Sequence, residues 1–345
     1  MRKVFVSVND CKPGVQIAES IFNEYGAILV VENTILDEYI LSKIKDLGLV
    51  KIKVIDYNND MVIVSGTELF KAQYNENLNT VKNILYDLSS GKSVDYNMVN
   101  HATDSIINRI NENRDIVTCI NDMREADDYL YTHSINVSLL VMLIGKWLKY
   151  DYYRIKSLVT AGFLHDIGKS KISAEILNKP GSLNTVEFDE MKKHSAYGLQ
   201  IAEKIPNLNE DILKGILMHH EREDGSGYPF GLKSAQIHDY AKIIAVADIF
   251  DAMTSNRAYK KMECAFDVIE RMQKENFGKL DHMVLQTFLK NIASYYMGDF
   301  VKLSTGDIGE IVYINPFNIS KPIIKVDDVY IDLSRENQVK ILELI

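Results

Sequence analysis

Cysteine is scarce in this sequence: three residues in 345, Cys11, Cys119 and Cys264, far apart and without a CxxC pair. That excludes a disulfide framework and a zinc–thiolate site, leaving three reduced thiols as the reading. Positive charge is also short, with 39 Lys and Arg against 48 Asp and Glu and a net charge of -9. A bulk DNA or RNA binder needs a basic footprint, so that class is excluded. A small anionic ligand held by a few local cations is not. No apolar run is long enough to span a bilayer; the most apolar, INVSLLVMLIGKWL at 135–148, is too short and too interrupted. The start, MRKVFVSVND, lacks the apolar stretch and cleavage site of a signal peptide. The expectation is a soluble, cytoplasmic protein without membrane insertion. No internal repeat and no Gly/Ser linker breaks the chain, which excludes solenoids and predicts modules that pack together.

What is present falls into three stretches. Residues 1–67 read as a small α+β module: β-branched runs at 3–8, 27–31 and 50–56, and a helix over 34–48 capped by Thr34. Its stripe would be Ile35, Leu36, Tyr39, Ile40, Ile44 and Leu47, with Gly48 as the stop. Residues 68–297 are helical in pattern, with long amphipathic segments and few prolines. Residues 298–345 return to short strands separated by TGD, NPFN and DD, a small β-barrel-like tail. The fold class is thus mainly α, a helical bundle flanked by an N-terminal α+β and a C-terminal β module.

Within the helical stretch, polar residues stand where an amphipathic pattern does not ask for them. His133 opens an apolar helix, and His165 and Asp166 end another (LVTAGFLHDIGK). His194 lies in a helix starting at 185 and capped by Thr185, and His219 and His220 end a fourth. Asp248 is embedded in AKIIAVADIFDAM. A lone histidine beside an apolar face is usually a satisfied core residue. A carboxylate buried in an apolar run is harder to dismiss, because burial costs several kcal/mol unless it is paired or metal-bound. Five imidazoles and two carboxylates without thiolates suit a pair of first-row divalent ions and argue against structural zinc.

The set HS–N (133–136), HDIGK (165–169), KHSAYG (193–198), HHEREDGSGYP (219–229) and ADIFDAMTSNRAYK (247–260) resembles the HD-GYP branch of the HD-domain phosphohydrolases, with the motifs in order over about 125–290. The resemblance implies one ion held by His133, His165, Asp166 and Asp248, and a second held by Asp166, His194, His219 and His220, with Asp166 bridging. Family members with a third ion use a glutamate where this chain has Tyr129, so two ions, iron or manganese, are expected. Two ions roughly 3.5–4 Å apart share a water and lower its pKa, giving hydroxide for in-line attack on phosphorus. Lys169 is assigned a phosphate contact, while Tyr228, Arg257 and Lys260 are assigned to the nucleotide. On their own, Arg257 and Lys260 would read as a solvated basic patch.

The implied activity is hydrolysis of cyclic di-GMP to linear pGpG and on to GMP. Another cyclic dinucleotide or a phosphomonoester on the same metal site is the alternative, as is a cyclic-dinucleotide-responsive binding protein with little turnover. Glu221, Asp224 and Asp251 stay open between supporting the ligands and shaping local structure. His101, His238 and His282 fall outside every motif. The β tail reads as scaffold or homodimer contact rather than a second active site, and the input signal is not legible.

Overall fold

A computed structural model of the chain describes residues 2–8, 11–22, 28–46, 49, 51–56, 66–110, 117, 120, 129–255, 263–275, 278–336 and 338–345. It is mostly helical and divides into two compact units, one formed by residues 1–68 with 289–345 and the other by Leu69–Phe288.

In the first unit, β1 (Arg2–Ser7), β5 (Lys51–Asp56) and β2 (Gln16–Ile17) form an antiparallel sheet in the order β1-β5-β2. A hairpin of β3 (Ile21–Phe22) and β4 (Ile28–Val30) and the helix α1 (Glu38–Asp46) complete the N-terminal part. Val8, Ile17, Leu36, Leu41, Ile44, Ile52 and Val54 are its buried core. The helix starts later than its sequence predicts. Asp37, not Thr34, caps it, accepting the Ile40 amide at 2.7 Å. Ile35 instead bridges to Gln16, which draws residues 34–36 into extended pairing and leaves Ile35 and Tyr39 exposed. Leu47 and Gly48 lie outside the described residues.

The tail forms a five-stranded antiparallel sheet in the open order β10-β6-β7-β8-β9, from β6 (Phe300–Leu303), β7 (Ile308–Tyr313), β8 (Ile323–Val326), β9 (Val329–Asp332) and β10 (Ile341–Leu344). Its inward positions alternate, with Val301, Leu303, Ile311 and Ile324 fully buried. Lys53 on β5 meets Glu310 on β7 at 3.0 Å, with only 12% and 15% of the two side chains exposed. A pair that enclosed must stay matched, since removing one partner strands the other's charge.

The second unit takes in α2 (Gly66–Ser89) from Leu69 onward, and α3 (Tyr96–Ile110), α4 (Tyr129–Trp147), α5 (Tyr152–Leu164), α6 (Ala174–Leu177), α7 (Thr185–Lys192), α8 (His194–Ala202), α9 (Glu210–Met218), α10 (Asp239–Thr254) and α11 (Ala265–Glu275) follow in order. A last helix, α12 (His282–Ser294), crosses the boundary between the units. Every residue from 132 to 145 is buried, as are Leu158–Leu164 of α5 and most of α10. Helices apolar all round belong in the centre, and these three carry His133, His165 and Asp248.

Helix starts are capped by the short polar side chains that satisfy orphan amides. Asp151 accepts the Arg154 amide at 2.9 Å before α5, and Asn209 accepts the Asp211 amide at 2.8 Å before α9. Before α7 the cap is Asn184 rather than Thr185, in a reciprocal box with Glu187. The single helix expected across residues 185–205 is broken at Lys193, so α7 and α8 meet at the position that presents His194.

Candidate metal centre

The site is built from helix ends. The last carbonyls of a helix have no intrahelical donor, and three histidines use them in the same way. His165 caps α5 and its Nδ1 donates to the Gly162 carbonyl at 2.6 Å. His219 caps α9 and donates to the Ile216 carbonyl at 2.6 Å. His194 donates to the Met191 carbonyl at 2.7 Å where α7 gives way to α8. His133, one turn into α4, donates instead to Asp251 Oδ2 on α10 at 2.7 Å. With Nδ1 carrying the proton, each Nε2 is left as a lone pair, the state in which imidazole ligates a metal.

Those Nε2 atoms surround one carboxylate. Asp166 Oδ2 lies 3.5 Å from His133 Nε2 and 3.3 Å from His165 Nε2, while Oδ1 lies 3.4 Å from His194 Nε2 and 3.9 Å from His219 Nε2. Asp248 Oδ1 closes the first side, 3.2 Å from His133 Nε2. Asp166, His194, His219 and His220 form one group whose candidate ligand atoms lie within 4.8 Å of one another; His133, His165 and Asp248 form another. All are buried except His220, which is half-buried.

This arrangement fits divalent metal. His165 Nε2 and Asp166 Oδ1 are buried with no hydrogen-bond partner among the described residues, a costly state for polar atoms unless something coordinates them. Burial, reinforced by the neighbouring imidazoles, holds His219 and His220 well below the usual histidine range; burial also lowers His194. They are neutral at pH 7 and ready to ligate. Burial pushes the Asp166 carboxyl up, but in the metal-free protein the charge of His165, when that ring is protonated, and of Lys169 holds it well below the usual carboxylate range. Asp248 is likewise held low against its burial by His133 when that imidazole carries a second proton, as it can in the metal-free protein.

Lys169 reaches the centre by a different route from the single helix its spacing suggests. The α-helix stops at Leu164, and a 3-10 turn, Ile167–Lys171, swings Lys169 Nζ to 2.5 Å from Asp166 Oδ2. Gly168 makes that turn possible. A Cβ there would sit 1.8 Å from the His194 carbonyl oxygen, so the backbones of HDIGK and KHSAYG approach as only glycine permits.

After His219 and His220 the chain folds back on itself. Glu221, buried, accepts the amides of Phe230 at 2.7 Å and Leu232 at 2.8 Å, so it shapes the loop rather than orienting a histidine. Asp224 accepts the Ser226 amide and hydroxyl, also a turn role. Lys242 of α10 ties the loop down through Glu223 at 3.2 Å and Asp281 at 3.1 Å. Tyr228 stacks on His220 with ring centroids 4.6 Å apart at 28°, which places its face beside the second histidine group. Burial raises its phenol pKa, with Asp248 and Asp166 adding to the effect, so the hydroxyl keeps its proton.

Sequence reasoning left Asp251 open; the structure buries it completely as the acceptor for His133. The sequence signal was its spacing from Asp248 on one helix face. His238, outside every motif, caps α10 and meets Asp211 at 3.1 Å. Arg257 and Lys260 lie outside the described residues. Tyr129 opens α4 one turn before His133.

Residues 108–280 match the family described as HD domain. Among curated relatives, the chain is 32% identical to cyclic di-GMP phosphodiesterase PA4108 of Pseudomonas aeruginosa, over 71% of this chain and 59% of that protein. It is 36% identical to 3'3'-cGAMP-specific phosphodiesterase 1 of Vibrio cholerae, over 49% of this chain and 39% of that protein. It is 38% identical to a cyclic di-GMP phosphodiesterase of Thermotoga maritima, over 54% and 47%. The chain thus matches less than two thirds of the length of each. Among solved structures, Bd1817, an HDG"Y"P protein from Bdellovibrio bacteriovorus, shares the fold with a TM-score of 0.56 at 15% identity, covering 84% of this chain and 98% of that one. No helix among the described residues is long and apolar enough to cross a membrane. An HD domain binds divalent metal, and the two histidine–aspartate groups supply the donors for it. The chain is a member of the HD-domain family, with its histidines and aspartates gathered at the ends and faces of the central helices.

Proposed function

We propose that this chain is a two-metal phosphodiesterase that hydrolyses cyclic di-GMP to pGpG and onward to GMP. What carries the proposal is Asp166, which turns one carboxylate oxygen toward His133 and His165 and the other toward His194 and His219. His133, His165, Asp166 and Asp248 would hold one ion, and Asp166, His194, His219 and His220 the other. Hard carboxylates with neutral imidazoles suit iron or manganese. When bound, such a pair supplies a water nucleophile at neutral pH and neutralises charge on the phosphoryl group.

The rest is done by side chains. Asp166 fixes the spacing of the two groups. Lys169, already against Asp166, offers a cation to the phosphate oxygens as charge develops. Tyr228, stacked on His220, walls the nucleotide and presents a protonated hydroxyl. Arg257 and Lys260 would take the phosphate that is not cleaved, Arg257 by a two-pronged contact. The catalytic part is the helical stretch 68–297. A cyclic nucleotide substrate carries a cytoplasmic location with it, and the β tail is the part we assign to homodimer contact.

The similarity to a cGAMP-specific enzyme favours one second reading, that 3'3'-cGAMP is the preferred substrate. Anaerobic purification with elemental analysis, followed by incubation with either nucleotide under reducing conditions, tests both. Two equivalents of iron or manganese and release of pGpG or GMP are expected. No product from cyclic di-GMP with either metal overturns the proposal, and faster turnover of 3'3'-cGAMP replaces its substrate.

A further inference from the structure

Behind His133 lies a buried hydrogen-bond chain that leads away from the site. Asp251 Oδ2 accepts His133 Nδ1 at 2.7 Å, and its Oδ1 accepts Asn136 Nδ2 at 3.0 Å and the Ser255 hydroxyl at 3.1 Å. Asn136 Oδ1 in turn accepts the Tyr74 hydroxyl at 2.8 Å. Tyr74, Asn136, His133 and Asp251 are each 3% exposed or less, so water does not compete for these groups. They come from three helices, α2, α4 and α10.

The direction of every bond in the chain is fixed. An ionised Asp251 only accepts, so Asn136 must turn its NH2 toward Asp251 and its carbonyl oxygen toward α2. Tyr74 must then donate. Asn136 and Ser255 hold the carboxylate, and the carboxylate holds the proton of His133 on Nδ1. That tautomer is the one that leaves His133 Nε2 facing Asp166 and Asp248. Without the Tyr74 hydroxyl the Asn136 carbonyl loses its donor, and only the bond to Asp251 still opposes rotation of the amide. A rotated amide would set an oxygen against the Asp251 carboxylate and loosen its grip on His133.

We propose that Tyr74, through Asn136 and Asp251, is a positioning residue that sets the tautomer and aim of His133 for metal. The proposal rests on the two-metal reading and extends it to a helix that supplies no ligand. Partners behind a ligating histidine commonly change metal affinity about 10–100-fold, and the effect should fall with distance from the ring. The Asp251→Asn variant is expected to weaken one of two Mn²⁺ sites about tenfold or more, and Tyr74→Phe the same site by about threefold.

The test is Mn²⁺ affinity, measured by competition with a fluorescent chelator on the full chain. The proteins are wild type, Tyr74→Phe, Asp251→Asn, His133→Ala and the Tyr74→Phe/His133→Ala double variant. If the chain acts through His133, Tyr74→Phe weakens one ion in the wild-type background and changes nothing in the His133→Ala background. Thermal melts of the metal-free proteins identify variants that fail to fold, and Asp251→Asn then serves in place of Tyr74→Phe. Loss of melting temperature with both Mn²⁺ affinities unchanged overturns the positioning role. So does weakening of the ion that His133→Ala retains. A wild-type chain that binds no Mn²⁺ or Fe²⁺ overturns the metal reading itself, and the role of Tyr74 falls with it.

Discussion

Asp166 is the residue on which the two histidine groups depend, since its two carboxylate oxygens are directed one to each group. Asp166→Ala is expected to abolish turnover and to lower bound metal below two equivalents, read by nucleotide separation and elemental analysis. Arg257→Ala should instead weaken substrate binding, with a larger rise in KM for a cyclic dinucleotide than for a small generic phosphodiester. An equal rise for both would remove Arg257 from the non-scissile phosphate. Much of the ligand set is legible in the sequence, because His165, Asp166 and Asp248 are polar residues where an apolar helix has no use for them. The supporting residues are not legible in the same way. Asn136 and Tyr74 matter through a contact between residues 62 positions apart, and Glu221 through amides nine and eleven residues later. No local pattern encodes such partners.

At the scale of elements, the site depends on where helices stop. Gly168→Ala would drive a Cβ into the His194 carbonyl and push α8 from the 3-10 turn. A drop in melting temperature and weaker metal binding are expected together, and a variant that keeps wild-type Mn²⁺ affinity would show that the close approach is not needed. The cap of α7 tests a milder feature: Asn184→Ala should cost about 1 kcal/mol of unfolding free energy in urea titrations. Helical character was readable from periodicity, as were the ends at His165 and His219, whereas the starts of α1 and α7 and the break between α7 and α8 were not. Thr34 and Thr185 can cap a helix, though less well than Asp37 and Asn184. The choice between them follows from tertiary pairing, such as the Gln16–Ile35 bridge that delays α1. The break at Lys193 follows from the crossing of α8 over Gly168, which no propensity reports.

For the whole molecule, stability should respond to metal and to pH in linked ways. An ion that binds only the folded state adds about 2.7 kcal/mol at a hundred times its Kd. Chelation should therefore lower the melting temperature, and hydrogen exchange should rise in peptides of Leu69–Phe288 that carry the ligands. Acid should act in the same direction. His194, His219 and His220 have pKa values lowered by burial, so the unfolded chain binds more protons than the folded one below the ordinary histidine value of 6.5. The metal-free protein is expected to lose stability as pH falls below 6.5, and a denaturation midpoint unchanged between pH 7.5 and 5.5 would contradict this.

The scarcity of cysteine takes on a different meaning once the ligands are placed in chain order. Neither Cys11 nor Cys264 is in a disulfide, so among the described residues no covalent bond shortcuts the backbone. The imidazoles and carboxylates of the centre run from His133 to Asp248 and sit on six separate elements. Ions held there would close long loops of backbone, as disulfides do in small secreted domains, and restrict the unfolded chain accordingly. Unlike disulfides, such cross-links come apart with a proton or a chelator, which makes the architecture of this unit a reversible function of its ionic surroundings.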